Sequence, residues 1–448
     1  MAITDWWLGD AGVDSASVVL RSDTNGAITA SKSFSGDTVA DTSIEDGLVR
    51  IDFANVVADE SVDITISGST ITAQLKLMPV DTPFCIGWYS CMEIGLRMIA
   101  GNQMINKHNV VASFGEGDLP YVENNIAHWG VSKVGASKSG GQTQANASAH
   151  YRAFMRNPGV KYLSQNAPFF RMGDDHEWPG DDWDHTVANA NDQGLTFTLQ
   201  SEVDDLFDKF NKALTGYQKG NPQNSYPTAT AQKPSNADAG TDVNNYPPSY
   251  FRKRIGNAEF FMLDCISHRN PIAAVDDENK HMLGSVQEAL LLSALSDSTA
   301  DFKFIVSSKV FFAAASTFAN QDSWAWYQTR RDVILDYIRD NNITTVAILS
   351  GDQHTPQISY ALQSEGDNWD MFEVCACPVG VPLTGVIDTA TENKELLVWA
   401  NQVYGIVQVF DTHCLIEQYS IDGKRASSTR LNAGSNIPVL TNNQIAFG

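Results

Sequence analysis

Four short apolar segments, each followed at once by carboxylates or histidines, limit what this chain can fold into more than any other feature. Apolar segments this short have the length of buried β-strands. In open α/β sheets the ligand crevice lies beyond the carboxyl ends of the strands, so we expect the polar clusters to meet at one edge. The segments and their clusters are Val110–Phe114 with Gly115–Tyr121, Phe169–Met172 with Gly173–Asp182, Phe260–Leu263 with Asp264–Arg269, and Val346–Leu349 with Ser350–His354.

The clusters supply oxygen donors and imidazoles, which suit divalent or trivalent cations. Several carboxylates brought together can hardly remain ionised unless a cation balances them. Each cluster also has a simpler interpretation, because Gly-Asp after a strand is often only a turn and Asp174–Glu177 could be a solvated acidic turn. Gly351–His354 is the stronger indication, since Asp352 and His354 are two residues apart at a strand end and point the same way.

The pattern of predicted secondary structure changes near Phe84. From there onward, strand candidates alternate with helix candidates, which indicates an α/β sandwich. Residues 1–80 instead contain short β-rich segments separated by Asp, Gly, Asn and Ser, the pattern of a small all-β sandwich. We therefore expect an N-terminal all-β domain over residues 1–80 and a larger domain over residues 81–448. Further strands are expected at Phe302–Ser307 and Thr345–Leu349, and helices at Glu202–Leu214, Gly284–Leu295 and Arg331–Arg339.

Two long segments interrupt the alternation. Ser132–Ala149 is rich in Gly, Ser, Ala and Gln, and Gly216–Tyr250 carries Pro, Gly, Asn and Thr without an apolar period. Structureless segments of this length inside a domain are usually lids or binding loops, and sometimes they are disordered. We expect residues 216–250 to form a long loop or lid. The tail after about Ser427 is polar and weakly patterned.

The charge balance narrows the range of partners. With 53 acidic and 30 basic side chains the formal net charge is −23, which argues against binding to a nucleic-acid backbone. Solubility in a salty environment explains the charge equally well, whereas an anionic substrate would need local cations such as bound metal. No apolar run approaches the ~18 residues of a membrane-spanning helix. Met1–Trp7 lacks the features of a signal peptide, so we expect a protein that stays inside its cell, or a mature or virus-encoded form.

The six cysteines show neither a CxxC pair nor the spacing of a disulfide framework. Cys375 and Cys377 lie in a mainly apolar segment, and we interpret them as core residues. Cys91, taken alone, is also most simply a small buried hydrophobic residue.

Taken in order, the polar clusters resemble those of a known family. Gly117-Asp118-x-x-Tyr121, Asp174–Glu177 and Gly351-Asp352-x-His354 are similar to motifs of the alkaline phosphatase D (PhoD-like) group of calcineurin-like metallophosphatases. Flanking segments that agree are Trp7–Asp10 with Val18–Arg21, Ser90-Cys91, Met262–Asp264 with Arg269, Met282–Gly284 with Gln287, and Ser323-Trp324 with Tyr327 and Arg331.

The resemblance implies a four-layer metallophosphatase-type sandwich flanked by helices, with a small immunoglobulin-like all-β domain at the N-terminus. It also implies a centre that holds iron (Fe³⁺) and calcium (Ca²⁺). Cys91 and Tyr121 would bind the iron, and Asp118 would bridge the two metals. The further metal ligands that we expect are Asp175, Asp352 and His354. His176 would lie beside the phosphate and protonate the leaving alkoxide, and Arg269 would contact a non-bridging oxygen.

The sequence departs from the family pattern at several positions, which affects efficiency and substrate more than fold. The family usually has an Asn metal ligand shortly after its Asp-Asp-His run, where this chain has Gly180–Asp182. We expect Asp181 to bind instead, which adds a negative charge. The other departures are Tyr89 in place of Gly, Gly173 in place of an aromatic residue, and Ile266 or Ser267 in place of an arginine.

Our leading hypothesis is a metal-dependent hydrolase of phosphomonoesters, phosphodiesters or both, with a small-molecule or lipid substrate. One alternative is a phosphodiesterase or phospholipase of the same scaffold, acting on lipid, nucleotide or teichoic acid. The other is a non-catalytic, metal-stabilised binding or virion-surface module, because a fold by itself does not establish a function. The sequence does not indicate an oligomeric state.

Overall fold

A computed structural model of the chain describes four sheets and six helices in the residues that it covers. These residues are 3–23, 27–33, 38–39, 47–92, 99–121, 144–178, 184, 186, 198–222, 249–312, 323–380, 394–395 and 402–440. Within these ranges, no helix combines the length and the apolar character that crossing a membrane requires.

Seven strands near the N-terminus form two antiparallel sheets. Their bounds are β1 (Ile3–Ala11), β2 (Ser15–Ser22), β3 (Ile28–Lys32), β4 (Thr38–Val39), β5 (Leu48–Ala54), β6 (Ser61–Ile66) and β7 (Ser69–Gln74). The sheet orders are β1-β2-β5 and β4-β3-β6-β7. In β6, Val62, Ile64 and Ile66 are buried whereas Asp63 is exposed, because alternate side chains of a strand point to opposite faces. The all-β character of this region is confirmed, while the domain boundary at residue 80 stays a prediction.

The rest of the chain builds two seven-stranded sheets. The strands of the first sheet are β8 (Phe84–Tyr89), β9 (Ala112–Gly115), β10 (Phe169–Arg171), β18 (Val403–Val409), β19 (His413–Ser420), β20 (Arg425–Asn432) and β21 (Pro438–Leu440). Those of the second are β11 (Phe251–Ile255), β12 (Ala258–Leu263), β13 (Phe302–Ser307), β14 (Val346–Ser350), β15 (Gln357–Ala361), β16 (Met371–Cys375) and β17 (Lys394–Glu395). Their orders are β10-β9-β8-β18-β19-β20-β21 and β11-β12-β13-β14-β16-β15-β17.

The two large sheets pack face to face, and helices cover their outer faces. The rings of Phe114 on β9 and Phe260 on β12 lie 4.8 Å apart between the sheets. On the other face of the first sheet, the ring of Phe169 lies 6.4 Å from that of Phe154 in a helix. The helices are α1 (Ile99–Asn106), α2 (Gln144–Arg156), α3 (Pro158–Asn166), α4 (Gln200–Tyr217), α5 (Gly284–Asp297) and α6 (Gln328–Asp340). The predicted four-layer α/β sandwich is therefore confirmed.

Parallel pairing brings the functional loops to one edge of the sandwich. Strands β8, β9 and β10 are parallel neighbours in the first sheet, and β12, β13 and β14 are parallel neighbours in the second. Every residue of β12, β13 and β14 is buried, as expected where helices or a second sheet cover both faces of a parallel sheet. The loops after these strands carry the polar clusters.

The N-terminal sheets pack directly against the sandwich. The ring of Trp7 on β1 stacks on that of Tyr217 at the end of α4, with centroids 5.9 Å apart. Lys253 on β11 reaches β1, where its Nζ atom lies 2.5 Å from Oδ1 of Asp10. These contacts tie the first strand of the chain to α4 and to the second large sheet.

Three segments that lack a clear pattern in the sequence are partly regular in the structure. In Ser132–Ala149, the last six residues belong to α2. In Gly216–Tyr250, the first two residues complete α4 and a 3-10 turn follows over Gln218–Gly220, while residues 223–248 lie outside the described residues. The polar tail forms β20 and β21, because its side chains are satisfied inside the sheet: the Ser427 hydroxyl donates to Oε1 of Gln418 at 2.7 Å.

Candidate metal centre

The polar side chains predicted from the sequence meet where the parallel strands end. Cys91 follows β8, Asp118 and Tyr121 follow β9, and Asp352 and His354 follow β14. Hydrogen bonds link Cys91, Asp118, Tyr121 and His354, and a carboxylate oxygen of Asp352 lies within 4.8 Å of one of Asp118, although these residues come from distant parts of the chain.

Four side chains form what we name the sulfur-donor group: Cys91, Asp118, Tyr121 and His354. The Sγ atom of Cys91 lies 3.3 Å from Oδ2 of Asp118. The Tyr121 hydroxyl donates to the same oxygen at 3.1 Å and lies 2.7 Å from Nε2 of His354. The ligand atoms of Cys91, Asp118 and His354 lie within 4.8 Å of one another, close enough to surround one metal ion.

A second set, the carboxylate group, consists of Asp118, Asp174, Asp175 and Asp352. One oxygen from each lies within 4.8 Å of the others, and Asp118 belongs to both groups. The carboxylates of Asp118 and Asp175 also form such a set with the imidazole of His176. The two groups are therefore neighbours that share one carboxylate.

Lys309 enters the carboxylate group from the loop after β13. Its side chain is fully buried, and its Nζ atom lies 2.9 Å from Oδ1 of Asp174, 2.9 Å from Oδ1 of Asp175 and 3.2 Å from Oδ1 of Asp352. One ammonium thus contacts three of the four carboxylates.

The backbone is held in an unusual conformation at four of these positions. Cys91, Asp118, Asp352 and His354 have φ angles of 57°, 57°, 67° and 50°. This left-handed region is unfavourable for residues other than glycine and clusters at functional sites. Ten non-glycine residues of the described part have such angles, so the centre holds nearly half of them.

Glu177 joins the loops that carry Asp118 and Asp174. Its Oε2 atom accepts the backbone N–H of Asp118 at 2.9 Å and that of Asp174 at 2.6 Å. Gly117 lets these loops approach, because its φ is +104° and an added Cβ atom would lie 2.3 Å from Cβ of Asp174. The geometry of the site therefore depends on two residues outside both groups.

Burial dominates the electrostatics of the sulfur-donor group. Burial, followed by the neighbouring Cys377, raises the pKa of Cys91 well above its ordinary value, and burial with Asp118 does the same for the pKa of Tyr121. Burial also raises the pKa of Asp118 to about 6. It lowers the pKa of His354 to about 4, which leaves a neutral imidazole at neutral pH. A metal would therefore have to displace protons from the thiol and the phenol.

The carboxylate group behaves differently. Burial raises the pKa of Asp174 well above its ordinary value. Burial alone would also raise the pKa of Asp175, but the Lys309 ammonium and then His176 outweigh it and hold that pKa below its usual range. The built-in ammonium thus keeps at least one carboxylate of this group ionised.

The remaining predicted site residues lie around these groups. His176 is half-buried, and its ring centroid lies 4.2 Å from that of Tyr121. Arg269 is fully buried in the loop after β12, and its charge helps to lower the pKa of Asp175. Asp181, the expected substitute for the Asn ligand, lies outside the described residues.

Sequence reasoning missed Lys309 and the position of Cys377 beside the candidate centre. Cys377 is buried, as expected for a core residue, but its Sγ atom lies 2.9 Å from that of Cys91, so it borders the candidate centre. The backbone N–H of Gly380 donates to the carbonyl of Cys91 at 3.1 Å, which holds the two segments side by side. The available signal for Lys309 was its position two residues after the buried strand Phe302–Ser307.

The fold and the two donor groups define the class of protein: a four-layer α/β sandwich of the metallophosphatase type. The chain belongs to the PhoD-like phosphatase family, whose model matches residues 86–408. The resemblance stated from the motifs is therefore confirmed.

Two known proteins illustrate the relationship. Alkaline phosphatase D of Bacillus subtilis (strain 168) is 32% identical over 113 residues, which are 22% of this chain and 19% of that protein. The match thus spans about a fifth of that relative. A solved structure of PhoD superposes with a TM-score of 0.72 over 99% of this chain and 92% of that chain, at 14% identity. This second likeness shows that the two chains share a fold.

Proposed function

We propose that this protein is a metal-dependent phosphoester hydrolase. The observation that carries the proposal is the position of Asp118, which belongs both to the sulfur-donor group and to the carboxylate group. Because Asp118 belongs to both groups, a cation in each group would lie close to the same phosphoester. The transition state of phosphoryl transfer is stabilised mainly by positive charge placed in this way. Membership of the PhoD-like phosphatase family supports the same activity.

We infer that the sulfur-donor group holds iron as Fe³⁺. Cys91, Tyr121 and Asp118 can each give an anionic donor once deprotonated, and three such donors balance a trivalent ion. The neutral imidazole of His354 completes a set of the kind that first-row transition metals accept. An ion bound there would supply Lewis-acid chemistry and lower the pKa of a water molecule.

Calcium (Ca²⁺), the second ion expected from the resemblance, would need oxygen donors such as Asp118, Asp175 and Asp352. The donor type fits this hard cation. The charge of the site suits a calcium ion less well, because the Lys309 ammonium already contacts Asp175 and Asp352 and balances part of their negative charge. Asp181 remains a proposed ligand.

The chain itself supplies the proton transfer and part of the anion binding in this proposal. His176 is half-buried beside Tyr121, so it can protonate the leaving alkoxide, and its charge lowers the pKa of Asp118 and of Asp175. Arg269 would contact a non-bridging phosphate oxygen with its forked N–H groups.

Small-molecule phosphoesters are the substrate class that we propose, and both monoesters and diesters remain within it. A lipid phosphoester, as for a phospholipase, is a narrower form of the same proposal. Rates on matched chromogenic monoesters and diesters, followed by vesicles that contain the phospholipid, separate these substrates.

The test of the activity uses Asp118→Asn, since this substitution alters both groups at once. We expect loss of bound metal and of turnover on every phosphoester, with an unchanged circular dichroism spectrum. Asp205→Asn is the control, because Asp205 is exposed and pairs only with a neighbouring lysine of its helix in the described contacts. Full turnover in the Asp118 variant would refute the proposal, and bound metal without turnover in the unaltered protein would favour the non-catalytic module.

A further inference from the structure

We propose that the Lys309 ammonium takes the position of a second metal ion, so that the protein binds one metal ion per chain rather than two. The proposal deepens the proposed function, on which it rests for its chemistry. It concerns the carboxylate group, whereas the metal that we infer for catalysis lies in the sulfur-donor group.

The contacts of Lys309 are those of a cation inside a ligand set. Its Nζ atom lies between 2.9 and 3.2 Å from oxygens of Asp174, Asp175 and Asp352. An ammonium has three N–H donors and no acceptor, so three carboxylates can use its full donor capacity. The same three carboxylates, together with Asp118, are the set whose oxygens lie close enough to hold a metal.

An ammonium and a divalent ion compete for this set of carboxylates. A calcium ion needs six to eight oxygen ligands at about 2.3–2.6 Å, and one oxygen from each of the four carboxylates lies within 4.8 Å of the others, while Lys309 already contacts three of them. A second cation would also face the Lys309 charge at close range inside the protein, where water screens repulsion only weakly. Calcium binding would therefore require Lys309 to leave.

The surroundings of Lys309 oppose such a departure. Its side chain is fully buried, and its backbone is fixed to the end of β13. The N–H of Lys309 donates to the Ser307 hydroxyl at 3.2 Å, and that hydroxyl donates to the Lys309 carbonyl at 2.6 Å. The indole Nε1 of Trp324 donates to the same hydroxyl at 3.2 Å. Moving the ammonium away would leave it in the interior without these carboxylates, which is strongly unfavourable.

Lys309 is a positioning residue in this proposal. A cation that belongs to the chain would hold the carboxylates in place without a second ion from solution.

The experiment is elemental analysis of the unaltered protein, Lys309→Gln, Lys309→Arg and Lys253→Gln, each purified and then dialysed with excess calcium. Lys253 is a matched control, because it is also ion-paired and largely buried but contacts Asp10 on β1. We expect one transition-metal ion and no stoichiometric calcium in the unaltered protein, the Arg variant and the control. We expect Lys309→Gln to gain one calcium ion, since glutamine removes the charge and offers an oxygen.

Two stoichiometric ions in the unaltered protein would overturn the proposal. So would a folded Lys309→Gln variant that binds no calcium. If the Gln variant fails to fold, the unaltered protein and Lys309→Arg still decide, because a second ion in either contradicts it. Turnover is measured in parallel. One bound ion without turnover would contradict the proposed function but not this inference. Two bound ions with turnover would contradict this inference but not the proposed function.

Discussion

The two donor groups share Asp118 and lie side by side, yet they balance their charge in different ways. In the sulfur-donor group, burial keeps protons on Cys91 and Tyr121, so the negative donors appear only when a metal displaces those protons. In the carboxylate group, Lys309 is a cation of the chain itself, and it contacts three of the four carboxylates without any exchange with solvent.

Only the sulfur-donor group therefore depends on an ion taken up from solution. A metal ion can be removed by chelation or acid, whereas an ammonium on a buried side chain cannot dissociate. Substitutions in the two groups should therefore differ in their effect on bound metal as well as on rate.

The largest effect should follow from Cys91→Ala, which removes the sulfur from the sulfur-donor group. We expect loss of the transition metal and a fall in kcat/KM of roughly 10³–10⁵, because bound metal contributes several kcal/mol of transition-state stabilisation. Metal content and phosphoesterase rate are measured together. Cys414→Ala is the matched control, since Cys414 is equally buried but lies on β19. If the Cys91→Ala protein still bound the transition metal, the sulfur-donor group would not be the metal site, and the distinction between the two donor groups would fail.

His176→Ala should have the next largest effect, and on rate alone. Loss of a general acid lowers kcat by roughly 10²–10⁴, while metal content stays unchanged because the sulfur-donor group is intact. The loss should shrink for substrates whose leaving groups need no proton. Equal losses for good and poor leaving groups would assign the proton transfer to another residue.

On acidification, the sulfur-donor group should lose its metal before the contact between Lys309 and Asp175 is lost. The pKa of Asp118 is raised to about 6, so below that pH a proton competes with the metal for its carboxylate. Each proton displaced weakens the apparent metal affinity by about tenfold per pH unit. The pKa of Asp175 lies below its usual range, so its contact with Lys309 should persist in more acidic solution. The check is to dialyse the protein at several pH values between 7 and 5 and to measure the bound metal by elemental analysis. A metal content that stays constant over this range would contradict the prediction.

The smallest effect should come from Cys377→Ser. Cys377 contacts Cys91, but Cys91 groups with Asp118 and His354 as potential ligands without it. A hydrogen bond of this kind contributes about 0.5–1.5 kcal/mol, so we expect a change in rate of less than about tenfold and unchanged metal content. Loss of metal in this variant would extend the sulfur-donor group to a second sulfur.

The elements that the sequence predicted best are those whose physics is local. β13 was predicted residue for residue at Phe302–Ser307, because a strand buried on both faces is mainly apolar, as four of the six residues of this strand are. The ordered clusters after β9, β10 and β14 also follow from the sequence, since parallel strands bring their carboxyl ends to one edge.

The features that the sequence did not predict depend on contacts between distant segments. A lysine just after a strand is most simply a solvent-exposed residue, yet Lys309 is buried against Asp175, which lies 134 residues away in the chain. Cys377 was interpreted as core because its neighbours are apolar, and it is buried, but its packing against Cys91 could not be read from the sequence. The polar strand β20 was missed because its buried hydroxyls are satisfied by residues such as Gln418 in the adjacent strand.

The left-handed backbone at Cys91, Asp118, Asp352 and His354 also bears on the lifetime of the protein. Each such residue disfavours the folded chain by about 1–3 kcal/mol, and a ligand present at 100 times its dissociation constant restores about 2.7 kcal/mol. Molecules made in a metal-poor medium lack that contribution, so we expect their folded state to open more often. The metal supply would then affect how long each molecule survives as well as the rate at which it works.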